Sequence, residues 1–82
     1  MVIVEYGPMF EKRMKRIKNR SLQDQIRNQV KKIVNNPEFG KPMRYERKGT
    51  REVYTSPFRL SYAYLEEEDK IIFLDIYHKD EQ

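Results

Sequence analysis

The pattern of apolar and polar positions changes character along the chain. Val2–Tyr6 is a short β-branched run and predicts a first strand. Gly7-Pro8 interrupts it, and proline suits the first turn of a helix, where a missing N–H costs nothing. Phe10, Met14 and Ile17 then recur at i, i+4 and i+7, the stripe of a helix. Its remaining positions are nearly all charged: Glu11, Lys12, Arg13, Lys15, Arg16 and Lys18. Asn19-Arg20 breaks the stripe. Ser21 is expected to cap a second helix, with Asp24 near its positive end. Leu22, Ile26, Val30, Ile33 and Val34 give that helix its apolar face, and Asn35-Asn36-Pro37 ends it, because the residue before proline avoids the α region. So short a break predicts an antiparallel helical hairpin.

A loop from Pro37 to Pro42, around Gly40, leads to an extended period. Arg44–Arg47 reads as a short strand, Lys48-Gly49 as a turn, Arg51–Tyr54 as another strand and Thr55-Ser56-Pro57 as a turn. Phe58–Leu65 alternates, with Phe58, Leu60, Tyr62 and Tyr64 on one face and Arg59, Ser61 and Ala63 on the other. Glu66–Asp69 is an acidic hairpin turn, and the apolar run Lys70–Tyr77 is expected to be a central strand. The order β-α-α-β-β-β predicts one α+β domain over residues 1–82: an antiparallel-rich sheet with the helical hairpin packed on one face. Phe10, Met14, Ile17, Leu22, Ile26, Val30 and Ile33 should form the core. At about 1.5–3 kcal/mol for each fully buried large side chain, such a core offsets chain ordering only narrowly. One helical layer covers one sheet face, so the other must meet solvent or a partner.

Composition narrows the function. The chain has no cysteine and one histidine, which excludes a disulfide framework and thiolate metal sites; neither a metal site nor a cofactor is expected. The absence of a signal peptide and of an apolar run of about 20 residues points to a cytoplasmic protein with no membrane partner. The net charge of +4 is an average of unlike parts. Residues 1–51 carry 14 Lys/Arg against 5 Asp/Glu, whereas residues 52–82 carry 3 against 8. A polarised charge of this kind suits a polyanionic partner, and equally suits helices solvated by lysine and arginine.

No phosphate loop, Cys/His pair or HExxH motif is present, and Ser21, Ser56 and Ser61 have only His78 to share. The acidic run Glu66–Asp69 reads as a solvated turn. Basic residues, tyrosines and His78 remain. RNA can be cut without metal when its 2′-OH attacks the adjacent phosphate. That reaction needs a base, an acid and cations for the charge developing on phosphate. Arg59 suits the last task and His78 either of the first two, while exposed aromatics can stack bases. Arg59 can instead pair with a carboxylate, His78 can be a satisfied surface residue, and Tyr62 and Tyr64 alternate with core positions.

With these residues in view, the chain resembles the RelE/ParE superfamily of type II toxins over almost its full length. The likeness runs through Asn36-Pro37, Gly40-Lys41-Pro42 and Lys48-Gly49-Thr50-Arg51. It is sharpest in Pro57-Phe58-Arg59-Leu60-Ser61-Tyr62, similar to the family's YRxxY strand, and in Ile72–Lys79, similar to its last strand and basic ending. The resemblance implies a metal-independent mRNA endonuclease working on the ribosome, neutralised in a complex with a cognate antitoxin. Arg59, His78 and Lys79 would then be catalytic on the uncovered face, with Arg51, Tyr54, Lys48 and Arg47 binding RNA. The chain departs from the pattern in Lys79, in Asp80-Glu81, and in Glu52 and Tyr54, where many RelE proteins are basic. ParE-like members share the fold and poison DNA gyrase instead.

Overall fold

The computed structural model describes residues 2–43 and 49–78. The expected strand Arg44–Arg47 and the site residues Arg47, Lys48 and Lys79 lie outside the described residues. Strand β1 (Ile3–Tyr6) is followed by helices α1 (Pro8–Arg16) and α2 (Arg20–Asn35), then by β2 (Lys41–Pro42), β3 (Thr50–Thr55), β4 (Phe58–Leu65) and β5 (Lys70–His78). The five strands form one sheet in the order β1-β5-β4-β3-β2. β1 pairs parallel with β5, and the other neighbours are antiparallel. The α+β architecture expected from the sequence is the one observed.

Two local expectations change. Asn19, not Ser21, caps α2: its extended backbone lets its side-chain oxygen accept from the Leu22 N–H at 3.1 Å, so the helix begins at Arg20, two residues earlier. The loop expected from Pro37 to Pro42 gives up its last two residues to β2, which pairs with Arg51 and Glu52. Proline is acceptable there because β2 is an edge strand with an outward side that needs no donor.

Both helices feed one core on one face of the sheet, α1 over β5 and α2 over β3. Phe10, Ile17, Ile26 and Ile33 are buried against Val53, Leu60, Tyr62, Ile71, Phe73 and Ile76, with Met14, Leu22 and Val30 packed at the margin. Tyr6, Phe10 and Phe73 make a ring cluster with centroids 5.4–5.6 Å apart.

β5 carries a bulge that decides where its last residues point. Ser61 pairs with Asp75 and Tyr62 with Phe73, so Leu74 has no partner on β4. Ile71 and Phe73 therefore face the core before the bulge and Ile76 after it. Asp75, at the bulge, accepts from the Ile76 N–H at 2.8 Å and reaches Arg13 of α1 at 3.5 Å.

Candidate functional site on the open sheet face

Alternation along β3 turns Arg51, Val53 and Thr55 toward the helices and leaves Glu52 and Tyr54 on the open face. On β4, Leu60 and Tyr62 go inward and Arg59 outward. On β5 the bulge brings Tyr77 to the open face, directly opposite Arg59. Arg59 also pairs with Tyr54 across β3, so Tyr54, Arg59 and Tyr77 form one row across three strands.

Glu52 ties the row together. Its Oε1 receives a hydrogen bond from Arg59 Nη1 at 2.8 Å, and its Oε2 receives one from the Tyr77 hydroxyl. The carboxylate is buried although it lies on the open face, because Arg59 and Tyr77 cover it. A buried charge is tolerable when it is paired and hydrogen-bonded in this way. The Arg59 guanidinium lies 5.8 Å from the centre of the Tyr54 ring, a cation–π distance, and Tyr54 is half exposed. Arg59 Nε is buried and has no hydrogen-bond partner among the described residues. The result is a carboxylate held between a guanidinium and a phenol, with an exposed aromatic ring beside the guanidinium.

The other sequence-predicted residues are elsewhere. His78 pairs with Phe58 and faces the helices, its ring edge-on to that of Phe58 at 5.8 Å. The expectation that His78 shares the uncovered face with Arg59 is therefore corrected, and the bulge is the reason. Arg51 also points to the helix side, where it donates to the carbonyls of Glu38 at 3.0 Å and Gly40 at 2.7 Å. It pins the loop after α2 and does not join Arg59. Tyr62 completes that anchor: its hydroxyl donates to the Pro37 carbonyl and accepts from the Gly40 N–H, both at 2.8 Å. Burial pushes the Tyr62 hydroxyl above its ordinary pKa, against the opposing pull of the Gly40 hydrogen bond and the Arg51 charge.

In the sequence alone Glu52 stands out only as a departure from a basic pattern. Its place on the open face is readable from one signal. A turn at Ser56-Pro57 sets Tyr54 opposite Arg59, and the two-residue period then puts Glu52 on the same face. Among the described residues no three His, Asp or Glu side chains converge as metal ligands, and no helix is long and apolar enough to cross a membrane.

This fold has relatives. The sequence profile of the family described as "ParE toxin of type II toxin-antitoxin system, parDE" matches residues 4–82. The toxin in the intact E. coli RelBE toxin-antitoxin complex superposes with a TM-score of 0.81 at 10% identity, covering 95% of this chain and 96% of that one. A chain of the Mycobacterium tuberculosis RelBE2 toxin-antitoxin complex gives 0.80 at 22% identity, covering 95% and 98%. A YoeB/ParE toxin from Agrobacterium tumefaciens gives 0.82 at 10% identity, covering 94% and 98%. No curated protein matches by sequence. The chain belongs to the ParE toxin family, within the RelE/ParE superfamily of type II toxin-antitoxin toxins.

Proposed function

We propose that this toxin cuts mRNA without metal, by attack of the RNA's own 2′-OH on the adjacent phosphate, and that a cognate antitoxin masks it in a complex. The reading is carried by the contact of Glu52 with both Arg59 and Tyr77 on the uncovered sheet face. Glu52 takes the 2′-OH proton as the 2′-oxygen bonds to phosphorus. Arg59 meets the negative charge that grows on the phosphoryl oxygens. The bond from phosphorus to the 5′-oxygen breaks, Tyr77 protonates that oxygen, and Glu52 returns the proton to Tyr77. Tyr54 offers its exposed ring to a neighbouring base. Lys79 remains a proposed catalytic cation and Arg47 and Lys48 proposed RNA contacts, and His78 and Arg51 are assigned to packing and to the loop anchor. The closing test is to induce the protein in cells and map message 5′ ends. Cuts within translated codons are expected, lost in Glu52→Gln and in Arg59→Ala. A stop in translation with messages intact overturns the reading.

A second reading rests on the same ion pair. With Glu52 2.8 Å from Arg59, much of the cation's charge is cancelled on the face that RNA would need. The family match also favours ParE-like action, the poisoning of DNA gyrase, by surface recognition instead of phosphate chemistry. It predicts that purified protein inhibits gyrase supercoiling and that induction causes DNA breaks while messages stay whole.

A further inference from the structure

The turn of the chain between α1 and α2 forms a cleft of about 290 Å³ against the ends of β4 and β5. This is near the small end of the about 300–1,000 Å³ typical of ligand clefts. It lies on the helix side of the sheet, behind the row formed by Arg59 and Tyr77, and shares no residue with it.

The lining divides into two chemistries. Leu22 and Ile76 give an apolar floor, and Phe58 and His78, edge to face, give an aromatic wall. Arg16 and Lys18 stand exposed at the rim, with Arg13 held beside them by Asp75. The carbonyl end of α1 meets the same corner and disfavours an anion. The amide end of α2, capped by Asn19 and with no acidic residue in its first turn, offsets it. An apolar floor and two aromatic rings beside two exposed cations fit a molecule with a planar ring at one end and an anionic group at the other.

We propose that this cleft binds a 5′-nucleotide, the base against Phe58 and His78 and the phosphate between Arg16 and Lys18. The site is separate from the open-face row, so its existence does not depend on the proposed RNA cleavage. The nucleotide can be free or the 5′-phosphorylated end of an RNA strand; both present the same ring and phosphate.

His78 is the chain's only histidine, so its ring protons give one assignable pair of NMR signals in the full-length protein. Titration with AMP should move them, through the ring current of the base, and saturate with a Kd of about 1 mM or tighter. Adenosine and inorganic phosphate, each carrying half of the ligand, should bind at least about tenfold more weakly. The variant Arg16→Ala/Lys18→Ala changes two exposed residues and should keep the folded amide spectrum while weakening AMP by about tenfold. A 5′-phosphorylated RNA tetranucleotide that binds tighter than AMP identifies a strand end as the ligand, and one that binds no tighter identifies the free nucleotide; either supports the site. The proposal is overturned if AMP leaves the His78 signals unmoved, if inorganic phosphate binds as tightly as AMP, or if the double variant binds AMP unchanged.

Discussion

Glu52 and Arg59, on adjacent strands, meet at 2.8 Å on the uncovered face of the sheet, with the carboxylate buried and the guanidinium partly exposed. The pair gives the open face a fixed polar centre where alternation alone would leave separate side chains. Removing one member strands the other. Glu52→Gln should therefore destabilise the protein by about 1–3 kcal/mol, read as a lower urea midpoint with unchanged slope. Combining Glu52→Gln with Arg59→Met should cost less than the sum of the two single changes, because no unpaired charge remains.

Tyr62→Phe tests the anchor of the loop after α2. It removes a hydroxyl that serves Pro37 and Gly40 and leaves both backbone groups without that partner. A loss of about 1–3 kcal/mol is expected in equilibrium unfolding.

The same residue sets a pH dependence. Burial raises the Tyr62 pKa above its ordinary value of 10.0, so the fold favours the protonated phenol. Its contribution is full below about pH 10 and is lost as pH rises through the folded-state value. Tyr64, also raised, chiefly by desolvation and by neighbouring Asp69, acts in the same direction. Alkaline unfolding above about pH 10 should thus be shallower in Tyr62→Phe than in the parent, though not abolished.

Gly40→Ala should be destabilising for a steric reason. A Cβ at residue 40 would lie 2.7 Å from the Tyr62 ring edge and hydroxyl. The ring is fixed in the core, so the strain should cost about 1–3 kcal/mol in thermal unfolding.

Ile33→Ala and Ile3→Ser form a contrasting pair. Ile33, on the inner face of α2, is fully buried, and truncation should cost about 2–5 kcal/mol. Ile3 is 54% exposed on the edge strand, and its replacement should change stability by no more than about 0.5 kcal/mol. Both are measured by urea unfolding.

The elements were legible where the period was clean. The stripe Phe10, Met14, Ile17 and the alternation Phe58, Leu60, Tyr62 each give the observed buried face. The end of β5 was not legible. Ile71, Ile72, Phe73 and Leu74 are all apolar, so no polar position marks the extra residue of the bulge. Counting by two from Phe73 puts His78 on the open face and Tyr77 in the core; the bulge reverses both. The site was half legible for the same reason: Arg59 could be placed from β4 alone, whereas its neighbours on β5 depended on an irregularity that sequence does not announce.

The sheet joins β1 to β5, the first strand to the last described one, with β5 lying between β1 and β4. A nascent chain that has emerged only through β4 cannot build this sheet, because the strand that bridges its two parts is still missing. Tyr77 arrives with that strand, so the polar row on the open face is completed late in synthesis. Until then β1 and the edge of β4 have no partners, and contacts spanning nearly the whole chain must form before folding ends. Translation itself thus delays assembly of the proposed toxic surface.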